Sequence, residues 1–286
     1  MIKVILVPVD GTERSADVLH SALFIAKRFA SHIKVVHVRE RTSEPFMFSG
    51  MPASYREEYA KMSNRAADAV VDEVRQQFNT FCQQGKVKIT RKPSGAQELT
   101  ASLHILEGDA EATLDKESRL VDVIAMSRPI QHRIGGPGVG DLHESLMLHS
   151  GRAVMIVPPA PEWQAHRADR AAIGWNDSVE ASRAVCMTLP WLKQMKKVSV
   201  LVSKKREAGA GEVVDYLKRH GCKADYLVIS GRGTNVGKKM LNCCAEIGAE
   251  FLVVGGFSHT RTRQRLFGGV TSYLLHNTNI ITVMAH

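Results

Sequence analysis

The chain has 286 residues, 44% of them hydrophobic and 23% charged, which is the balance of a globular protein and excludes a disordered or fibrous one. That length suits two domains, each able to bury its own core. A formal net charge of +9 suits a phosphate-bearing partner, but aromatic residues make up only 6% and are not interleaved with the basic ones, so nucleic acid is not an expected partner.

The longest apolar runs, residues 2–9 and 251–254, fall far short of the roughly 18 residues needed to cross a bilayer. The opening MIKVILVPVDG lacks the basic leader and small-residue cleavage site of a signal peptide. A cytoplasmic protein with no membrane partner is the expectation. Cys82, Cys186, Cys222, Cys243 and Cys244 show no CxxC spacing and no paired histidines, so buried thiols are expected rather than a disulfide frame or zinc site.

From the N-terminus, residues 3–9 form a β-branched run of the kind buried in a parallel sheet. Residues 15–29 place Val18, Leu19, Ala22, Leu23, Ile25 and Ala26 at helical spacing. A strand at 33–38, a long helix at 55–82, a strand at 102–106 and a helix at 110–120 follow. Then come a strand at 121–126, a helix at 140–149 and a strand at 153–157. The same order recurs in the second half. Strands at 171–175, 198–202, 224–229, 251–254 and 280–284 alternate with helices at 178–192, 211–220, 236–247 and 267–276.

The copies match in places residue by residue, LMLHSGRAVMIV against YLLHNTNIITVM and VPVDGTERSA against IGWNDSVEAS. Residues 158–169, PPAPEWQAHRAD, fit neither period and read as a linker. The expected domains are 1–158 and 169–286. Alternating strands and helices imply an α/β fold, two repeated doubly wound domains with mainly parallel five-stranded sheets. Ligands of such sheets sit beyond the carboxyl ends of the strands, where the strand order reverses.

At that place in the second copy the chain reads FLVVGGFSHTRTRQRLFGGVTSYLL. Gly255 is followed after two residues by Ser258, and after nine more by Gly268 and Gly269. Bare glycine backbone at a helix start exposes unsatisfied N–H groups and a positive dipole end, which suits a phosphate. Val270 and Thr271 fall in the first helical turn, the hydroxyls of Ser258 and Thr271 add donors, and Arg261, Arg263 and Arg265 add positive field.

These residues give the chain a close resemblance to the universal stress protein family, as a tandem member covered over essentially its whole length by two copies. The resemblance implies an adenine nucleotide alpha hydrolase-like fold. It also implies a motif of Gly, two residues, Gly, nine residues, Gly and then Ser or Thr, which grips the phosphates and ribose of ATP. Gly255 and Gly268 match the first and third glycines with both spacings kept, while Ser258 replaces the second glycine and Gly269 the small hydroxyl residue. Asn176 stands where the family has an acidic residue that contacts the adenine.

In the first copy Asp10 is the acid the family expects, but Met126 stands at the first glycine and Pro129 near the second, with Asp141 and Leu142 at the helix entry. A carboxylate there caps the helix and repels phosphate, so no nucleotide is expected in this half. The 41–54 insertion, with Phe46, Met47, Phe48 and Met51, reads equally as a cover for a cleft or interface or as a loop tucked on its own core.

Other motifs carry less. SGRGTNVGKKML miscounts as a P-loop, because five residues separate Gly231 from Gly237 and Lys239 stands where Ser or Thr should. His143, His149, Asp141 and Glu144 are read as exposed helix polar groups rather than metal ligands. No nucleophile elbow or hydrolase triad is present, and no general base lies within the glycine motif, so no catalytic residue is named and weak ATPase activity is the most expected.

The leading expectation is a stress-response protein binding ATP, AMP or another adenine nucleotide, with or without magnesium, in its C-terminal half, through Asn176, Gly255, Ser258, Gly268, Gly269, Val270 and Thr271. Its use would be sensing or regulation. Pairing of the two copies within the chain, or a homodimer, is implied by the resemblance. The alternative is a non-nucleotide interaction module with both sites decayed.

Overall fold

The computed structural model describes residues 1–39, 50, 52–92, 98–129, 139–159, 169–229, 235–256 and 269–286. The chain folds as two compact units, Ile2–Asp122 and Val123–His286, Met1 falling with the latter.

The unit Ile2–Asp122 runs β1 (Val4–Pro8), α1 (Glu13–Phe29), β2 (His32–Arg39), α2 (Ala53–Gly85), β3 (Lys88–Ile89), β4 (Thr100–Glu107) and α3 (Ala110–Ser118). Its strands pair in the order β3-β4-β2-β1, all parallel. Ile5, Leu6 and Val7 are fully buried, as a continuous β-branched run demands of a strand covered on both faces. Helix α1 ends at Ala30 in a left-handed conformation, φ 49°, whose N–H bonds back to the Ala26 carbonyl. Helix α2 buries Val74, Phe78, Phe81 and Cys82 near its C-terminus, while Tyr55, Tyr59 and Met62 near its start are exposed.

The unit Val123–His286 runs β5 (Val123–Ser127), α4 (Val139–His149), β6 (Ala153–Val157), β7 (Arg170–Gly174), α5 (Val179–Leu192) and β8 (Lys197–Ser203). A 3-10 turn at Lys204–Gly209 follows, then α6 (Ala210–Arg219), β9 (Ala224–Ile229), α7 (Val236–Ile247), β10 (Phe251–Gly255), α8 (Gly269–Asn277) and β11 (Ile281–Ala285). Strands pair in the order β5-β6-β11-β10-β7-β8-β9. From β9 to β11 every pairing is parallel, so the five strands of the second copy make one doubly wound sheet. Right-handed crossovers then place α5 and α6 on one face and α7 and α8 on the other. Helices α7 and α8 approach so closely that a Cβ on Gly237 would meet the Tyr273 ring at 2.8 Å.

Strand β6 pairs antiparallel with β11, Met155 opposite Val283. These are the last strands of the two copies, so the end of the first copy shares a core with the second. Two expectations are corrected here. His143 is buried, not exposed, with its Nε2 against the Ser127 carbonyl oxygen at 2.8 Å, because the α4 face that carries it turns inward with Leu146 and Met147. Cys186 is exposed and Cys243 half-buried, whereas Cys82, Cys222 and Cys244 are buried. All five are free thiols.

Candidate functional site

The second copy reverses its strand order at β7, whose neighbours are β8 on one side and β10 on the other. The chain leaves β7 for β8 through α5 and arrives at β10 through α7, so their carboxyl ends part and leave a crevice. A cavity of about 240 Å³ lies there. Gly174 and Asn176 border it at the end of β7, Val254 and Gly255 at the end of β10, and Gly269, Val270 and Thr271 at the start of α8. Val236 and Met240 of α7 and Arg206 of the 3-10 turn complete the lining.

Five expected residues are therefore brought together: Asn176, Gly255, Gly269, Val270 and Thr271. Ser258 and Gly268 lie outside the described residues, as do Arg261, Arg263 and Arg265, the apolar Phe46, Met47, Phe48 and Met51 of the insertion, and Gly231. Arg206 was not foreseen. Its signal is the basic run KKR directly after the second strand of the copy, which reaches the rim only because that stretch winds into a turn at the sheet edge.

The two described glycines of the motif are bare for different reasons. A Cβ on Gly255 would meet the Ala181 nitrogen at 2.5 Å and the Glu180 carbonyl carbon at 2.8 Å, so packing against α5 forbids any side chain. A Cβ on Gly269 would meet nothing within 4 Å. Among the described residues nothing in the packing asks for glycine there, and Gly269, Val270 and Thr271 of the first α8 turn all line the cavity. The start of a helix is its positive end. Gly174 is held by its neighbours, since a Cβ would lie 2.8 Å from a Val254 methyl.

Asn176 is half-buried and its Oδ1 accepts from the Ser178 hydroxyl at 2.8 Å. Ser178 in turn caps α5 by accepting from the Ala181 amide at 3.2 Å. The side-chain amide is thus oriented by the helix cap. Asp177 beside it adopts φ 59°, and its carboxylate lies 3.5 Å from the Arg206 guanidinium. Asn235 caps α7 by accepting from the Lys238 amide at 3.0 Å, as at an ordinary helix start.

The corresponding turn of the first copy is differently occupied. Asp10 Oδ1 accepts from the Thr12 amide at 3.0 Å, the Thr12 hydroxyl at 2.7 Å and the Ser15 hydroxyl at 2.8 Å. Burial raises the Asp10 pKa, but these bonds outweigh it and the net shift is downward. Helix α2 closes over the same turn, Gln77 Nε2 donating to the Gly11 carbonyl at 2.8 Å and Val70 standing 3.2 Å from where a Gly11 Cβ would be. In the second copy the equivalent α6 has 10 residues against 33 in α2, and no such roof forms over Asn176 among the described residues.

No helix among the described residues is long and apolar enough to cross a membrane. The family model of the universal stress proteins matches residues 1–158. No curated protein matches the chain. Among solved structures, a universal stress protein from Archaeoglobus fulgidus DSM 4304 aligns over 99% of this chain and 95% of its own, with 17% identity and a TM-score of 0.70. A proposed universal stress protein from Pseudomonas aeruginosa UCBPP-PA14 aligns over 99% and 93%, with 13% identity and a TM-score of 0.56. At such identities the likeness is one of fold, and 286 residues fit a tandem arrangement of two such domains. With the family model matched over residues 1–158, more than half of its length, the chain belongs to the universal stress protein family.

Proposed function

We propose that the chain is a cytoplasmic stress-response protein whose C-terminal half binds an adenine nucleotide, ATP or AMP, for sensing or regulation rather than turnover. One observation carries the reading: Asn176, Gly255, Gly269, Val270 and Thr271, singled out by the glycine pattern and, for Asn176, by the family resemblance, line a single cavity at the strand-order reversal. The phosphates would lie on the first α8 amides, with the Thr271 hydroxyl beside them and Arg206 adding charge at the rim. Val236, Met240 and Val254 offer an apolar wall to the base, and the Asn176 amide offers a hydrogen bond to its edge. Ser258 and Gly268 belong to the same reading as phosphate and ribose contacts.

Among the described residues no group of three or more His, Cys, Asp or Glu is placed to hold a metal; magnesium would arrive on the phosphates of the ligand. The β6–β11 pairing favours association of the two copies through their last strands within one chain. The alternative, an interaction module with both sites decayed, draws on Gly255, whose bareness is accounted for by α5 without any ligand.

Titration calorimetry with ATP, ADP and AMP on the wild type and on Gly269→Asp separates the two. Gly269 has open space around it, so the variant should fold, and its carboxylate at the α8 N-terminus repels phosphate. Saturable heat from the wild type, weakened at least about tenfold in the variant, is the expected result. No heat from either protein would leave the decayed-site alternative.

A further inference from the structure

Arg206 also lines a second and larger cavity, of about 570 Å³, within the range of about 300–1,000 Å³ of small-molecule sites. It opens on the other face of the sheet end. Gly174 and Asn176 border the first cavity, and side-chain alternation turns Trp175 between them the opposite way, into the second. The floor is apolar and buried, made by Val185 of α5 and Val213 of α6, which are 2% and 5% exposed.

Two aromatic residues line the same cavity. Trp175 is half-buried at the end of β7, and Tyr216 of α6 is 41% exposed, with its ring centred 4.6 Å from that of His220 one helical turn on. Indole and phenol, both lining the cavity, offer aromatic faces to a flat apolar group. Gly209, which forms part of the mouth, has φ −88° and nothing within 4 Å of where a Cβ would be, so neither backbone nor packing requires glycine there.

The charges around the mouth balance. Arg206 is held by Asp177 at 3.5 Å. Lys205 and Glu212, both exposed, enter no ion pair among the described residues and offer one charge of each sign. A ligand bearing only a carboxylate or only an ammonium would satisfy one of them and face the other uncompensated.

We propose that this cavity binds a small aromatic zwitterion, a molecule with one aryl ring, one ammonium and one carboxylate. Its ring lies between Trp175 and Tyr216 over Val185 and Val213, its carboxylate meets Lys205, and its ammonium meets Glu212. The site shares Arg206 with the rim of the proposed nucleotide cavity, but its argument stands whether or not that one is filled.

The test is titration of the whole chain with L-phenylalanine, followed by calorimetry and by tryptophan fluorescence, with Trp175→Phe to assign the optical change. Phenethylamine and 3-phenylpropionate serve as probes with one charge each. Saturable binding of L-phenylalanine is expected, with both single-charge probes at least about tenfold weaker. Lys205→Ala and Glu212→Gln should each weaken it about tenfold, and Gly209→Leu, which fills open space at the mouth, should abolish it. Circular dichroism of Gly209→Leu verifies that it folds; if it does not, Lys205→Ala and Glu212→Gln at the exposed rim decide alone. No saturable response above about 1 mM overturns the proposal. So does equal binding of all three probes, or L-phenylalanine bound undiminished by a folded Gly209→Leu.

Discussion

The end of β10 is seated directly on the backbone of α5: a Cβ at Gly255 would stand 2.5 Å from the amide nitrogen of Ala181. The two atoms that crowd it most are main-chain atoms of a helix turn, which cannot swing away as a side chain would. Gly255→Ala should therefore cost roughly 2–3 kcal/mol in a denaturant titration, since the strand or the helix must shift. Gly269→Ala, in open space at the start of α8, should change stability by less than about 1 kcal/mol. Equal losses from the two would contradict the packing described.

That contrast marks where the sequence could be read and where it could not. Periodicity placed the strands and helices within a few residues, the two-residue β3 excepted, because buried parallel strands are written as runs such as Val4–Pro8 and Phe251–Gly255 with few competing readings. The glycine pattern pointed to Gly255 and Thr271 and the family resemblance to Asn176, and all three line one cavity. Glycine by itself does not say why it is bare, so the packing role of Gly255 and the open surroundings of Gly269 looked alike. Arg206 was hidden because the 3-10 turn that carries it has no periodic signature, and His143 because a single histidine on a helix does not reveal which face turns inward.

Arg206 stands at the rim of the proposed nucleotide cavity with Asp177 its one counter-charge among the described residues, at 3.5 Å and in an exposed setting. Arg206→Ala should weaken ATP about fivefold, the scale of one partly screened charge contact. The loss should shrink at high salt, where the wild-type contact is itself screened. Calorimetry at two ionic strengths tests this; an unchanged affinity at low salt would remove Arg206 from the site.

The free thiols differ in reactivity for a physical reason. Burial pushes Cys82 up to about 11 and Cys244 up to about 12, the latter helped by neighbouring Cys243, so almost no thiolate exists at neutral pH. Cys186 is exposed. A thiol reagent should therefore label Cys186 in the native protein and reach Cys82 and Cys244 only on unfolding, as mass spectrometry of timed digests would show. Early labelling of Cys244 would contradict the burial of α7 against the sheet.

Asp10 ties the β1–α1 turn together through Thr12 and Ser15. Because its folded pKa lies below the unfolded value, its contribution is complete above the unfolded pKa of about 3.9 and disappears as pH falls through the folded one. Asp10→Asn should cost about 1 kcal/mol near neutral pH, the loss of charge-assisted bonds at an exposed turn. The gap between wild type and variant should close below about pH 4. A gap that persists into stronger acid would show that the carboxylate charge is not what holds the turn.

The Ser102 hydroxyl lies 2.9 Å from Nε2 of both His32 and His104, and His32 Nδ1 lies 2.8 Å from the Thr100 hydroxyl, so β2 and β4 are joined by a side-chain chain across their parallel pairing. Burial above all holds both imidazoles below the ordinary histidine range. The charges of His104 and Lys34 add to it at His32, and those of Lys34 and Arg91 at His104, where Glu117 opposes them. The unfolded chain therefore takes up these protons first. Stability should be constant above the unfolded value of about 6.5 and fall as pH drops toward the folded values, by at most about 1.4 kcal/mol per pH unit for each histidine. In His32→Gln/His104→Gln the amides retain hydrogen-bonding capacity but cannot titrate, so its stability should decline less between pH 7 and 5 than that of the wild type. Parallel pH profiles for the two proteins would show that these histidines are not what links the β2–β4 pairing to acid.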